Sequence, residues 1–210
     1  MSEKVVFIDD EEASLYLYGR ALKAIYGNEY DVITMTPGAT IDEMLVSIGK
    51  VDEIVSIIID EKLHVGIGAD YKGSELADAI RSYDTKLPLY ILTSETSSID
   101  TPFGSVEYVI DKAKIGQQDY KNQYAILMRR HIGTFNDIKT QRSERFDFLL
   151  KKSLEEQLTE EELAEYKELD FIRVRKVMSA EEIVGSSALD EQQKVIEDIE
   201  RKLKELRGEA

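Results

Sequence analysis

The sequence predicts a doubly wound α/β domain with a five-stranded parallel sheet, followed by an all-α extension. Three observations carry this reading. Four short apolar runs punctuate the first half: Val5 to Ile8, Ile54 to Ile59, Leu89 to Leu92, and Val106 to Ile110. They are rich in β-branched and aromatic residues and lack polar alternation, which suits strands buried on both faces of a parallel sheet. Helix-like stretches separate them, and strand signals vanish past about Gly133. Strand-helix alternation followed by helices alone gives the two-part architecture, residues 1–133 and 134–210.

Taken in order, the first run leads through Asp9, Asp10, Glu11 and Glu12 into a predicted helix from Ala13 to Tyr26, whose Leu15, Leu22 and Ile25 fit a buried stripe. Asp31 to Met35 supplies a further strand. Helices are expected over Ile41 to Ile48 and over Ser74 to Tyr83, the latter ending before Pro88. Between Ser94 and Ser105 the stretch Thr101-Pro102-Phe103-Gly104 is a poor helix sequence. His64 to Lys72, with Gly66 and Gly68, reads as a long loop.

In the extension, Thr159-x-x-Glu162 and Ser179-x-x-Glu182 match the capping-box pattern and mark two helix starts. Phe146-x-Phe148-Leu149-Leu150 and Leu163-x-x-Tyr166-x-x-Leu169 are apolar stripes expected to pack together. The last helix carries Leu189, Ile196, Ile199, Leu203 and Leu206, the final four at the 3-4-3 spacing of a coiled-coil seam. Glu197 with Arg201, Asp198 with Lys202 and Glu200 with Lys204 are acid-to-base pairs four apart that support an exposed helix. Self-association or a partner helix is the expected use of that seam.

Composition narrows the chemistry. There are 42 acidic and 27 basic residues, a net charge of -15, which opposes binding to nucleic acid or an anionic membrane. Arg173-x-Arg175-Lys176 is the one cluster a DNA-reading helix could use, and Glu165, Glu168 and Asp170 stand beside it. With no cysteine, disulfides, thiolate catalysis and cysteine-based metal sites are excluded. His64 and His131, the two histidines, are expected in solvated loop or helix-end roles rather than at a metal. No apolar run approaches the ~20 residues needed to span a bilayer, and a cytoplasmic location is expected.

In doubly wound sheets ligands bind beyond the carboxyl ends of the strands. The residues there are Asp9 and Asp10, Asp60, Thr93 and Ser94, and Asp111 and Lys112. An acidic pair after a strand can simply cap the next helix. Asp60, Thr93 and Lys112 at the matching ends of three other strands favour a site. Three converging carboxylates repel one another unless a cation sits among them, and hard oxygen ligands without histidine or thiolate suggest Mg²⁺.

This ordered pattern resembles the receiver domain of bacterial response regulators, a CheY-like, flavodoxin-like fold, over roughly residues 3–132. It rests on Asp9-Asp10, Asp60, Gly73-x-Glu75-Leu76-Ala77, Thr93 and Lys112. The resemblance implies that Asp60 accepts a phosphoryl group from a sensor histidine kinase or a small phosphodonor. It implies Mg²⁺ held by Asp9, Asp10, Asp60 and the backbone carbonyl of Lys62. Lys112 would pair with one phosphoryl oxygen and the Thr93 hydroxyl would bond another. The chain would then be a phosphoacceptor able to release its own phosphate, with no output catalytic domain.

Some positions depart from that pattern. Ala113 stands where the family usually has proline, which puts the turn after Lys112 in question. The switch aromatic normally lies three residues before the lysine, where this chain has Val109, with Tyr108 one step further away and facing the other side. The loop from His64 is either a kinase contact or an insertion. Lys62 and Glu95 each lie two residues beyond a key group and are either independent solvated charges or a pair that meets over the site and slows attack by water. The extension is too short for known catalytic outputs and lacks their motifs. A signalling switch acting through protein-protein contacts of the extension is expected, with a phosphate sink or non-switching scaffold as the alternative. A haloacid-dehalogenase-like phosphatase would want Asp-x-Asp after the first strand, a spacing that Asp9-Asp10 lacks.

Overall fold

The computed structural model describes residues 2–63, 69–96 and 104–173. Among these residues, five strands form one sheet: β1 (Glu3–Ile8), β2 (Tyr30–Met35), β3 (Ile54–Asp60), β4 (Leu89–Thr93) and β5 (Tyr108–Asp111). Their order is β2-β1-β3-β4-β5, and every neighbouring pair is parallel. This is the flavodoxin-like doubly wound order, in which the winding reverses between β1 and β3. The helices are α1 (Glu12–Tyr26), α2 (Ile41–Gly49), α3 (Gly73–Tyr83) and α4 (Gln118–Glu155). One layer is made by α1 packed with α4 and the other by α2 packed with α3, so both faces of the sheet are covered.

That double cover explains the unbroken apolar runs. Val5 to Ile8, Ile57 to Ile59 and Leu89 to Leu92 are all fully buried. β2 lies at an edge, and there Asp31 and Thr34 are exposed while Val32 is buried. Leu22 and Ile25 of α1 enter the core as their spacing predicts, with Leu15 half-buried against it. Gly27 ends α1 with a left-handed φ of 73°, a conformation that favours glycine. Arg129 of α4 donates from Nη2 to the last carbonyls of α1, at 3.1 Å for Tyr26 and 3.4 Å for Ile25. α4 is thereby fastened across the end of α1.

The sequence boundary at Gly133 falls inside α4, which runs 38 residues without interruption. Its first half completes the α/β layer through Tyr124, Met128, Ile132 and Phe135. Polar ties continue to Asn136, bonded to Glu3 at 2.8 Å, and to Lys139, paired with Glu53 at 3.2 Å. Its second half pairs with helical residues 160–173. There the Phe146 and Tyr166 rings stack at 5.3 Å, Arg145 meets Glu165 at 2.7 Å, and Lys152 meets Glu162 at 2.6 Å. The Thr159 box is formed: the Glu162 N–H donates to Thr159 Oγ1 at 3.2 Å and the Thr159 N–H to Glu162 Oε2 at 3.0 Å.

His131 corrects an expectation. It sits mid-helix in α4, where its Nδ1 shares a 2.7 Å hydrogen bond with the hydroxyl of buried Tyr90. The signal was missed because its partner lies 41 residues away in sequence. His64, Thr101 to Phe103, the Ser179 box and the Leu189 to Leu206 seam lie outside the described residues. Among the described residues no helix is long and apolar enough to cross a membrane.

Candidate functional site

Four of the five strands bring a polar residue, at their end or just after it, to one edge of the sheet. Asp9 follows β1, Asp60 ends β3, Thr93 ends β4 and Lys112 follows β5. Because β1, β3 and β4 are adjacent, Asp9, Asp60 and Thr93 come together at the winding reversal, where such folds place their ligands. Asp9, Asp10, Asp60 and Thr93 are all buried. Among the described residues, the carboxylates of Asp9, Asp10 and Asp60 form a metal-sized cluster, offering oxygens within 4.8 Å of one another.

Lys112 reaches into this cluster from β5. Its Nζ lies 3.1 Å from Asp9 Oδ2 and 3.0 Å from Asp60 Oδ1. Burial pushes the Asp9 carboxyl above its ordinary value, with the Asp60 charge adding to the effect. The Glu11 N–H on Oδ1 at 3.0 Å and the Lys112 charge oppose it. Burial works to lower the Lys112 pKa, but the charges and hydrogen bonds of Asp60 and Asp9 outweigh it and leave the ammonium above its ordinary value. One ammonium among three buried carboxylates leaves negative charge in excess. Closely set oxygen donors with that excess fit a hard dication such as Mg²⁺.

Thr93 is tied to the same cluster. Its carbonyl accepts the Lys112 N–H at 2.9 Å, and its hydroxyl accepts the Glu95 N–H at 3.1 Å. Lys62 Nζ and Glu95 Oε1 meet at 2.6 Å, so these side chains are a pair rather than independent charges. The turn after Lys112 is made without proline. Asp111 Oδ1 accepts the Ala113 N–H at 2.9 Å, and the Asp111 carbonyl accepts from Lys114 and Ile115 at 3.0 and 3.1 Å.

Three contributors were not visible in the sequence. Glu61 caps α3, accepting from the Ser74 N–H at 2.9 Å and the Ser74 hydroxyl at 3.0 Å, while its carbonyl accepts the Gly73 N–H at 3.1 Å. Burial raises the Glu61 pKa, with the Ser74 hydrogen bonds opposing. Tyr120 of α4 accepts the Asp111 N–H at 3.1 Å through its hydroxyl. Tyr18 of α1 sets its ring 5.2 Å from Lys112 Nζ. No spacing rule links Tyr18 and Tyr120 to the strand ends, and Glu61, though it directly follows Asp60, is distinguished only by its bonds to Gly73 and Ser74.

Tyr108 faces away from Thr93, as its position one step off the expected place predicts. It is half-exposed and packs edge-on against Tyr124 at 5.1 Å, while Tyr124 stacks on Tyr120 at 4.2 Å. A separate cleft of about 330 Å³ opens between Tyr83 to Lys86 and the paired helices, and none of the strand-end carboxylates lines it.

Neither a protein-family model nor a curated protein matches the sequence. Among solved structures, the chain is similar to response regulators. The CheY-like receiver domain protein of Methanospirillum hungatei JF-1 is 14% identical, covering 65% of this chain and 98% of its own at a TM-score of 0.45. The response regulator TrrA of Thermotoga maritima, in complex with Mg(2+)-BeF, is 17% identical, covering 52% of this chain and 86% of its own at 0.41. A chain from the complex of the histidine kinase ThkA with the response regulator TrrA matches at 18% identity, covering 52% of this chain and 85% of its own at a TM-score of 0.40.

Proposed function

We propose that this chain is a response-regulator-like phosphoacceptor, in which Asp60 takes a phosphoryl group and the helical extension carries the response to a protein partner or a second copy. The observation that carries this reading is Lys112 bridging Asp9 and Asp60 beside buried Asp10 and Thr93. An Asp60 oxygen attacks phosphorus, the bond to the donor's leaving group breaks with its electron pair, and an acyl phosphate forms. Lys112, held protonated, offers positive charge to a phosphoryl oxygen, and the Thr93 hydroxyl offers a hydrogen bond. Asp9, Asp10, Asp60 and the Lys62 carbonyl would hold Mg²⁺, which supplies charge neutralisation for the transferring oxygens. The donor would be a sensor histidine kinase or a small acyl phosphate.

Incubation with acetyl phosphate and Mg²⁺ tests the reading: a labelled aspartate at position 60 is expected, and labelling elsewhere or none with any donor would overturn it. The metal reading has its own readout. Mg²⁺ at ~100 times its dissociation constant stabilises by about 2.7 kcal/mol, which raises the melting midpoint by roughly 5–10 °C. Calorimetry at matched ionic strength checks this, and Asp10→Asn should shrink the increment.

The extension's role is supported by the continuity of α4, which starts six residues after Lys112 and runs unbroken to Glu155. The division into an acceptor unit over 1–133 and a helical extension over 134–210 is part of the same proposal. Against a switch stands Tyr108, which among the described residues packs on Tyr124 rather than toward Thr93 and so favours a phosphate sink or scaffold. Comparing oligomer size and partner binding with and without beryllofluoride separates the two: a change supports the switch, and no change supports the sink.

The Lys62–Glu95 pair is about half-exposed on both sides and contributes little to stability. Its proposed effect is on lifetime, by standing in the way of attacking water. Raising the barrier to hydrolysis by ~0.5–1 kcal/mol slows release roughly 2- to 5-fold. Lys62→Ala and Glu95→Ala should each accelerate phosphate release by that factor in a single-turnover assay, and unchanged rates would sink the idea.

A further inference from the structure

Among the described residues, the Lys112 ammonium has three partners that differ in kind. Asp9 and Asp60 hold it by charge at 3.1 and 3.0 Å, and the Tyr18 ring faces it at 5.2 Å. An ammonium within about 6 Å of a ring centroid is attracted by the ring's negative face, more strongly when water is excluded. Here the Lys112 side chain is 14% exposed, and Tyr18 is half-buried against the core. The contact joins the middle of α1 to the end of β5, elements nearly a hundred residues apart in sequence.

The partners also differ in what else they can bind. Carboxylate oxygens are ligands for a hard dication and, at Asp60, the proposed site of phosphorylation. An aromatic ring is neither. A cation entering the cluster draws on the Asp9 carboxylate and repels the ammonium, while a phosphoryl group consumes an Asp60 oxygen.

We propose that Tyr18 is a positioning residue whose ring keeps the Lys112 ammonium at the cluster when metal and phosphoryl group claim its carboxylate partners. The inference rests on the reading of Asp60 as acceptor. Without the ring, the ammonium moves toward solvent and must be brought back whenever a phosphoryl group binds.

Tyr18→Leu and Tyr18→Met remove the ring face, and Tyr18→Phe keeps it while removing the hydroxyl. In full-length protein with saturating Mg²⁺, the aliphatic variants should bind beryllofluoride about 3- to 10-fold more weakly than wild type. Tyr18→Phe should stay within about 2-fold of wild type, since the ring face is retained. An independent signature comes from NMR without metal: the Lys112 ε-methylene protons should be shifted upfield by the ring in wild type and Tyr18→Phe, and the shift should vanish in the aliphatic variants. Melting curves identify a variant that does not fold, and either aliphatic change suffices for the comparison. Wild-type affinity in a folded aliphatic variant, or an unaltered ε-methylene shift, overturns the role of Tyr18 and leaves the acceptor reading intact. Failure of wild type itself to bind beryllofluoride or accept phosphate overturns the acceptor reading, and this inference with it.

Discussion

Asp60→Asn abolishes labelling by acetyl phosphate, a loss of at least about 100-fold, because a neutral amide oxygen is a poor nucleophile for phosphorus. In the proposed reading Asp60 is the attacking carboxylate; it ends a central strand, with Oδ1 3.0 Å from the Lys112 ammonium. Two of the neighbouring acids, Asp9 and Glu61, are otherwise engaged. Asp9 Oδ1 accepts the Glu11 N–H, and both Glu61 oxygens accept from Ser74. The asparagine keeps the shape of the aspartate and removes one of three buried like charges, while Lys112 retains Asp9. The melting midpoint should therefore not fall. Mass spectrometry of the labelled protein with parallel calorimetry measures both quantities. A folded Asp60→Asn protein labelled as well as wild type would move the acceptor role to another carboxylate.

Gly73→Ala should be the most damaging single methyl group in the α/β unit. A Cβ at Gly73 would lie 2.1 Å from the Asp60 carbonyl oxygen, 2.9 Å from its carbon and 3.1 Å from Glu61 Cα. All three are backbone atoms, so no side chain can swing away. Neither side yields easily: β3 is a central strand, and α3 is held to it by Glu61 through the Gly73 and Ser74 N–H groups. Overpacking a rigid site costs roughly 3 kcal/mol, which lowers the melting midpoint of a protein this size by roughly 10 °C. Relief requires displacing the end of β3 or the start of α3 that Glu61 holds against it, so acceptance of phosphate should fall along with stability. Denaturant unfolding and acetyl phosphate labelling of the same preparation check the two effects. A midpoint unchanged from wild type would mean that the approach of α3 to β3 is looser than these distances.

Glu61 marks the limit of what the sequence makes legible about the site. Asp9, Asp10, Asp60, Thr93 and Lys112 could be found because strands in a parallel sheet end at one edge, so residues following apolar runs are neighbours in space. Tyr18 and Tyr120 obey no such rule, and for Glu61, which directly follows Asp60, the rule gives the place but not the role. Glu61 acts through a helix that starts 12 residues later. Tyr18 sits on α1 at a position that periodicity can assign to a face but not to a partner. The Lys62–Glu95 pair lay between: its two positions stand out by their offset from Asp60 and Thr93, yet whether they meet depends on how two loops converge.

The chain by itself determined the five strands, the first three helices, the Thr159 cap and the acidic strand ends, because burial on two faces, helical spacing and capping chemistry act over a few residues. Only the tertiary structure decided that α4 runs through Gly133 as one helix, that His131 bonds Tyr90, that Tyr108 packs on Tyr124, and that Lys112 is shared by Asp9, Asp60 and Tyr18. Those outcomes depend on which surfaces the sheet brings together. Exposed Gly133, with no atom near its missing Cβ, carries no packing contact that would stop a helix there, and the partners of α4 on α1 and on residues 160–173 hold it straight through.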